Sequence, residues 1–466
     1  MKSAEIGLMG LGTMGAALAL NIADHGFDVA VWNRTTQKTR DFHNDAGGLQ
    51  DKVHPSESVE DFVAAIAKPR AIILMVPAGD PVDEQIAALR PLLDADDLII
   101  DAGNANFHDT NRRARDAADL PYLGMGVSGG EEGARFGPSI MGGGKRAHWD
   151  RVAHILEAIS AKYDGAPCAT WMGEEGAGHF VKAVHNGIEY ADMQMIAEAY
   201  GVMRDGLSMS PAQISLAFAD WDKGALDSYL TEISGKVAAA VDPKTGKPML
   251  DVIVDAAGQK GTGRWTVIEA QHLAAPIPAI DAAVVARNLS SQRDVRALGE
   301  ALFGAAPQPM DGITLADLEG ALTAGKIICY AQGFEMINKA SVQFDWALPL
   351  PAIARVWRAG CIIRSAMLND MAQALTDNAD RNLMFAPFFA DLLKVNHQAL
   401  RKVVAQAALN GVAMPALSSG LAYFDAMRTA RGTANMIQGQ RDFFGAHGFE
   451  RIDGGADHHG PWAASS

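Results

Sequence analysis

Cysteine is scarce: the chain of 466 residues has three, Cys168, Cys329 and Cys361. They cannot build a disulfide framework and none has the spacing of a zinc site, so they read as buried small hydrophobes. Basic residues are outnumbered, 40 Lys and Arg against 55 Asp and Glu, and the resulting net charge of -15 excludes a sequence-blind grip on nucleic acid. Any anionic ligand must be met by locally placed cations. No apolar run approaches the ~20 residues of a membrane span, and Met1 to Gly10 lack the charged and long apolar regions of a secretory signal. A cytoplasmic protein with reduced thiols and no membrane partner is the expectation. What is present, 48% hydrophobic and 20% charged residues, is ordinary globular composition in a chain long enough for two or three domains.

The amino-terminal third alternates strand and helix signals. Ile6 to Met9 is a short apolar run, followed by Gly10-Leu11-Gly12-Thr13-Met14-Gly15, a helical stretch from Ala16 to His25, and a second strand from Phe27 to Trp32. The glycine motif therefore lies inside a βαβ unit. There Gly10 permits a tight turn, Gly12 lets backbone approach a pyrophosphate, and Gly15 lets the helix pack closely with its N-terminus facing the anion. After the second strand, where a carboxylate holding ribose hydroxyls is usual, the chain has Asn33-Arg34-Thr35. A cation flanked by neutral hydrogen-bonding groups suits a 2′-phosphate, so NADP is expected over NAD. Further strands at Ala71 to Val76, Leu98 to Asp101 and Tyr122 to Val127 make a Rossmann-like, doubly wound α/β domain, with Asn104, Ser128, Gly129, Gly130 and Glu131 on its ligand edge.

From about Ala177 strand signals fade, and the chain reads as all-α. Pro278-Ala279-Ile280 and Ser291-Gln292-Arg293-Asp294 are echoed by Pro415-Ala416-Leu417 and Gly439-Gln440-Arg441-Asp442, and Lys182 and Tyr190 by Lys326 and Phe334. An internally duplicated helical unit is inferred. The expected division is 1–177, 178–434 and a carboxy-terminal tail, 435–466. By composition the stretch from Glu450 to Ser466 reads as mobile, and His458-His459 lack the other ligands of a metal site, so no metal is assigned.

Chemistry concentrates on one helix. Lys182, His185, Asn186, Glu189 and Tyr190 recur at the spacing that normally carries an apolar face, while Val181, Val184 and Ile188 supply packing on another side. A lysine that loses proton affinity by desolvation can act as a base, and a glutamate that gains it can act as an acid. Two turns apart, they can serve opposite ends of one small substrate. The run Gln259-Lys260-Gly261-Thr262-Gly263-Arg264-Trp265 resembles a phosphate cradle without P-loop spacing, and Arg287 and Arg441 are further candidates for bidentate phosphate contacts.

Taken together, these blocks resemble the long-chain, decarboxylating 6-phosphogluconate dehydrogenases. The resemblance also takes in Val127 to Arg135, Gly176 to Tyr190, Trp357 to Ser365 and Gln440 to His447. The glycine turn is shared by all β-hydroxyacid dehydrogenases; the Lys-Gly-Thr-Gly-x-Trp run and the carboxy-terminal block are specific to this family. The resemblance implies NADP-dependent oxidative decarboxylation of 6-phosphogluconate to ribulose 5-phosphate, with Lys182 as base and Glu189 as acid. No metal is needed, because the lysine ammonium polarises the carbonyl. It further implies that Ser128, Gly129, Gly130, His185 and Asn186 hold the carboxylate and hydroxyls, with Asn104 between substrate and nicotinamide. Tyr190, Lys260, Thr262 and Arg287 would hold the phosphate. Arg441 and His447 would come from the neighbouring subunit of a homodimer, which implies an ordered tail. Val76, Pro77, Ala78 and Glu131 join the cofactor side. Pro77 stands where members of the family carry Lys or Gln, Ala102 replaces a common glycine, and the tail after His447 is short. Another β-hydroxyacid dehydrogenase, or a silent NADP-binding regulator, are the alternative readings; the first would lack the Lys260, Thr262 and Arg287 set, the second Lys182 or Glu189.

Overall fold

The computed structural model describes residues 3–117 and 120–462. The last four residues of the expected tail, 463–466, lie outside that range. Eight strands form one sheet: β1 (Ile6–Met9), β2 (Val29–Trp32), β3 (Val53–Pro55), β4 (Ala71–Leu74), β5 (Leu98–Asp101), β6 (Tyr122–Ser128), β7 (Ser139–Gly144) and β10 (Ala169–Gly173), with β8 (Lys162–Tyr163) and β9 (Ala166–Pro167) as a small separate hairpin. The order is β10-β7-β6-β5-β4-β1-β2-β3, parallel except where β6 meets β7. Interleaved are α1 (Thr13–Asp24), α2 (Thr36–Asn44), α3 (Val59–Ala64), α4 (Asp80–Leu89), α5 (Phe107–Asp116), α6 (Gly130–Phe136) and α7 (Arg146–Ile159).

Successive strand side chains point to opposite faces, and both faces are covered. Ile6, Leu8, Val29, Val31, Ile73 and Ile100 pack with Leu18, Ile22, Trp149 and Leu156 on one side. Met9, Ala30, Ile72, Leu74 and Ile99 pack with Phe62, Val82 and Tyr122 on the other. β1 sits between β2 and β4, so connections leave to opposite sides there and open a crevice at the strands' carboxyl ends. Compared with the sequence reading, α1 begins at Thr13 and not Ala16. Three strands of this sheet went unrecognised, β3, β7 and β10, as did the β8–β9 hairpin. β7 escaped because half of it is glycine, Gly142-Gly143-Gly144.

The rest is helical: α8 (Ala177–Gly201), α9 (Pro211–Trp221), α10 (Tyr229–Ala239), α11 (Met249–Val252), α12 (Thr262–His272), α13 (Pro278–Ser290), α14 (Arg293–Phe303), α15 (Leu315–Gln343), α16 (Leu350–Val356), α17 (Met367–Asp377), α18 (Pro387–Leu409), α19 (Pro415–Met427) and α20 (Ala434–Gly445). Among the described residues no helix is long and apolar enough to cross a membrane. Both Pro-Ala-Ile/Leu segments open helices. Gln332 of α15 accepts the Ala279 N–H at the start of α13, and Glu198 of α8 accepts the Ala416 and Leu417 N–H groups at the start of α19. Each long helix thus satisfies otherwise orphaned donors of one of the echoed helices. Burial raises the Glu198 carboxyl to about 7 against those same hydrogen bonds.

The chain forms two compact units with a boundary between Ser419 and Gly420. In the second unit Asp442 organises the tail. Its carboxylate accepts the backbone N–H groups of Gly448 and Gly460, the Trp462 indole N–H and the His459 imidazole, at 2.7 to 3.0 Å. Four donors hold its pKa at about 2. The stretch that reads as mobile by composition is therefore tied to α20 as far as Trp462.

One close contact positions everything downstream. A Cβ at Gly178, in the first turn of α8, would lie 2.4 Å from the Met141 carbonyl oxygen and 2.7 Å from that of Gly124; a Cβ at Gly143 would lie 2.4 Å from the Gly178 nitrogen. The helix thus rests directly on the backbone of β6 and β7, and a side chain here has only backbone to displace. Gly178→Ala is expected to destabilise the protein by about 1–3 kcal/mol, read as a lower urea midpoint; an unchanged midpoint would contradict this contact.

Candidate active site

Because α8 lies on the sheet, a Cβ at Gly126 of β6 would come within 2.5 Å of the Lys182 Cβ. The lysine side chain therefore starts at the sheet surface, beside the carboxyl end of β6 where Ser128 stands. Lys182, His185, Asn186, Ser128, Thr262 and Tyr190 are all buried, and Glu189 is mostly so. The polar stripe faces the protein interior.

Its hydrogen bonds form a closed circuit with determinable directions. The Asn186 Nδ2 donates to Thr262 Oγ1 at 3.0 Å, which leaves its Oδ1, an acceptor only, facing Lys182 Nζ at 2.6 Å and His185 Nδ1 at 3.0 Å. His185 Nδ1 must then carry the proton, and its Nε2 accepts from Ser128 Oγ at 3.3 Å. Ser128 Oγ in turn accepts from Lys182 Nζ at 3.2 Å. A neutral amine has two N–H groups, and both are used. One tetrahedral position remains, holding the lone pair of the amine or the third proton of an ammonium, and it meets no acceptor among the described residues, because the nearby His185 Nδ1, at 3.4 Å, already carries a proton.

Electrostatics agree with this circuit. Burial lowers the Lys182 pKa, with Glu189 opposing. Burial raises the Glu189 pKa, with Lys182 and Arg287 opposing. His185 is driven well below the usual imidazole range by burial and by the neighbouring lysine, which keeps it neutral. Desolvation thus moves the proton affinities of an amine and a carboxyl toward each other, a condition that favours proton transfers in both directions.

The remaining candidates fall into three groups. The Arg287 guanidinium stacks on the Tyr190 ring, 3.4 Å from its centre, and donates to the Gly258 carbonyl at 3.1 Å. Tyr190 also lies against α12, where a Cβ at Gly263 would touch its ring at 2.6 Å. Lys260, Asn104, Gly130 and Glu131 are exposed, and Gly129, with φ +114°, turns the chain from β6 into α6. Arg441 and His447 belong to the second unit, both exposed, with Arg441 held by Gln438 at 3.2 Å. Sequence reasoning missed Trp357, whose ring meets His185 edge-on at 5.6 Å, and Cys361, which donates to the Trp357 carbonyl and whose thiol burial pushes to about 12. The Trp357 to Ser365 block carries both, but nothing local in it points to the lysine.

At the crevice beside β1 a cleft of about 300 Å³ is lined by Gly10, Gly12, Asn33, Arg34, Val76 and Pro77, together with Thr35 and Lys38. Leu11, Thr13, Met14, Gly15, Ala78, Asn104 and Glu131 do not line it. Asn33 Oδ1 accepts the Leu11 N–H at 3.0 Å, fastening the glycine turn to the end of β2. A Cβ at Gly15 would strike the Gly10 carbonyl at 1.9 Å, so packing demands that glycine. At Gly12 a Cβ would meet nothing within 4 Å, and Gly12 caps α1 without a side-chain partner. Space and unsatisfied helix N–H groups there suit an anionic ligand. Lys38, one helical turn beyond Arg34, is a second cation at the cleft that the reading of Asn33-Arg34-Thr35 overlooked.

Comparison with known proteins agrees along the whole chain. Residues 5–173 match the NAD binding domain of 6-phosphogluconate dehydrogenase and residues 178–462 match the 6-phosphogluconate dehydrogenase C-terminal domain. The chain is 45% identical to the NADP(+)-dependent, decarboxylating 6-phosphogluconate dehydrogenase of Bacillus subtilis, over 99% of this chain and 100% of that one. It is 46% identical to the decarboxylating enzyme of Synechococcus elongatus, again over 99% and 100%. Its fold matches Plasmodium falciparum 6-phosphogluconate dehydrogenase, solved apo, with NADP+ and with 6-phosphogluconate, with a TM-score of 0.94 at 39% identity, covering 98% of this chain and 100% of that one.

The open space at Gly12 yields a separable test. Gly12→Ala is expected to leave the melting temperature unchanged and to weaken dinucleotide binding by ~10–100-fold through lost backbone contacts to the pyrophosphate. Unaltered affinity by fluorescence titration would remove the anion from this helix terminus.

Proposed function

The chain belongs to the decarboxylating 6-phosphogluconate dehydrogenase family, and on that premise we propose how its residues divide the reaction. The enzyme converts 6-phosphogluconate and NADP to ribulose 5-phosphate, CO2 and NADPH. In our reading Lys182, neutral and with its lone pair free, takes the C3 hydroxyl proton as the C3 hydride passes to the nicotinamide. The resulting ketone is β to the carboxylate. Lys182, now an ammonium, gives its proton to the ketone oxygen as the carboxylate–carbon bond breaks, so the bonding pair becomes the double bond of an enediol and CO2 leaves. Glu189 then protonates the carbon that lost CO2, while the enediol hydroxyl proton returns to Lys182. The single observation that carries this is the Lys182 hydrogen-bond circuit, which accommodates the free amine and has no acceptor for the third proton of the ammonium.

Ser128, Gly129, Gly130, His185 and Asn186 would hold the carboxylate end and hydroxyls, with Asn104 at the nicotinamide. Tyr190, Lys260, Thr262 and Arg287 would hold the phosphate; the stacked Arg287 supports this, because its guanidinium plane is fixed before ligand arrives. The dinucleotide would lie over Gly10 to Gly15, with its 2′-phosphate on Asn33, Arg34 and Thr35. The division 1–177, 178–434 and 435–466 assigns cofactor binding, substrate binding and reach to a partner. A homodimer in which Arg441 and His447 complete the neighbouring site is supported by uncovered apolar surface. Val295, Leu298 and Leu302 of α14 are exposed at helical spacing, as are Met436, Ile437, Phe443 and Phe444 of α20. Three buried free cysteines favour a cytoplasmic location.

The pH profile of turnover tests the pairing. The competent form carries neutral Lys182 and protonated Glu189, one of the two ways of placing one proton on the pair. Burial lowers one pKa and raises the other, which enlarges its share. Turnover is therefore expected to be bell-shaped, both limbs belonging to the pair. In Glu189→Gln only Lys182 titrates, so residual NADP reduction should rise with pH through the lowered lysine pKa and then stay level. An alkaline limb retained in that variant would contradict the acid assignment.

A further inference from the structure

Away from the Lys182 circuit, and sharing no residue with it, three donors converge on one point. We infer that His108, Glu269 and His272 form a binding site for a divalent transition-metal cation of the zinc class. His108 stands in the first turn of α5; Glu269 and His272 are three residues apart at the end of α12 and so share a face. Both imidazoles address the same oxygen, Glu269 Oε2, His108 through Nε2 at 2.8 Å and His272 through Nδ1 at 3.3 Å. The three donor atoms all lie within 4.8 Å of one another. Tetrahedral zinc with bonds near ~2.0–2.1 Å sets its donors roughly 3.3 Å apart, so small rotations of the two histidines complete the site.

The burial pattern favours a ligand site over a buried structural knot. The Glu269 side chain is 7% exposed, whereas those of His108 and His272 are 54% and 66% exposed. The carboxylate is fixed and the imidazoles face solvent, leaving the fourth position to water. The His108 ring is steadied by Phe107, with ring centres 3.9 Å apart. Two imidazole nitrogens and one carboxylate oxygen suit Zn2+, Co2+, Ni2+ or Cu2+; Mg2+ and Ca2+ require oxygen shells that this cluster does not offer. Occupancy would tie the segment that follows Asn104 to the helix that begins at Thr262, whose hydroxyl anchors Asn186.

Cobalt provides the probe, because four-coordinate Co2+ absorbs strongly in the visible. Full-length protein freed of metal by a chelator is titrated with Co2+, then with Zn2+ as competitor, beside His108→Gln and His272→Gln, whose exposed side chains can be replaced without disturbing the core. The expected result is one Co2+ per chain with a visible band that Zn2+ removes, and a rise in melting temperature that Mg2+ does not reproduce. Each variant should melt like the unsubstituted protein without metal and bind Co2+ at least tenfold more weakly. Absence of a band up to about 1 mM Co2+, or equal affinity in both variants with the ion held elsewhere, for example at His458-His459, would overturn the site.

Discussion

Removal of water from one lysine amine is the constraint on which the rest of this structure depends. An ammonium is expensive to bury, and Lys182 is buried because α8 rests on backbone atoms of β6 and β7 through Gly178, Gly143 and Gly126. A less intimate contact would let solvent reach the amine and restore its ordinary proton affinity. The glycines in this seam therefore act on chemistry at a distance, by setting how closely a helix approaches a sheet. Ser128, His185 and Asn186 complete the effect: they satisfy a neutral amine and offer nothing further to a charged one.

The same desolvation works with opposite sign on Glu189, whose carboxyl is pushed up. One buried helix face thus carries an amine pushed down and a carboxyl pushed up two turns apart, the pair proposed as base and acid. The cofactor cleft follows a different rule. It lies where β1 meets β4 and the chain direction of the connections reverses, and in the proposed reading its anion site is made from backbone, with Gly12 left open and Arg34 and Lys38 lining the cleft. In a chain of net charge -15, that reading assigns the anionic ligands to such local cations and not to the sign of the overall charge.

Much of this was legible in the sequence because it is local. The glycine turn, the Asn33-Arg34-Thr35 segment and the helical spacing of Lys182, His185, Asn186 and Glu189 are all encoded within a turn or two. Part of what escaped was masked by glycine, as in β7, and part was assembled from distant segments, while the short strands β3 and β10 and the local Lys38 went unread as well. Trp357 and Cys361 reach the lysine pocket from far along the chain, and His108 meets Glu269 across 161 positions. The tail misled by composition: its glycines and histidines suggest mobility, but Asp442 gathers Gly448, His459, Gly460 and Trp462 around one carboxylate. Helix boundaries also shifted, because α1 starts inside the glycine motif, with Gly12 as its cap.

The most direct test of the central claim follows reduced nicotinamide by absorbance, with CO2 release in parallel, for Lys182→Met beside the unsubstituted enzyme on 6-phosphogluconate and NADP. Methionine keeps the buried stem and removes the amine. The account predicts that the variant still binds 6-phosphogluconate yet forms neither NADPH nor CO2, whereas the unsubstituted enzyme forms them in equal amounts. Near-normal turnover by Lys182→Met would contradict it.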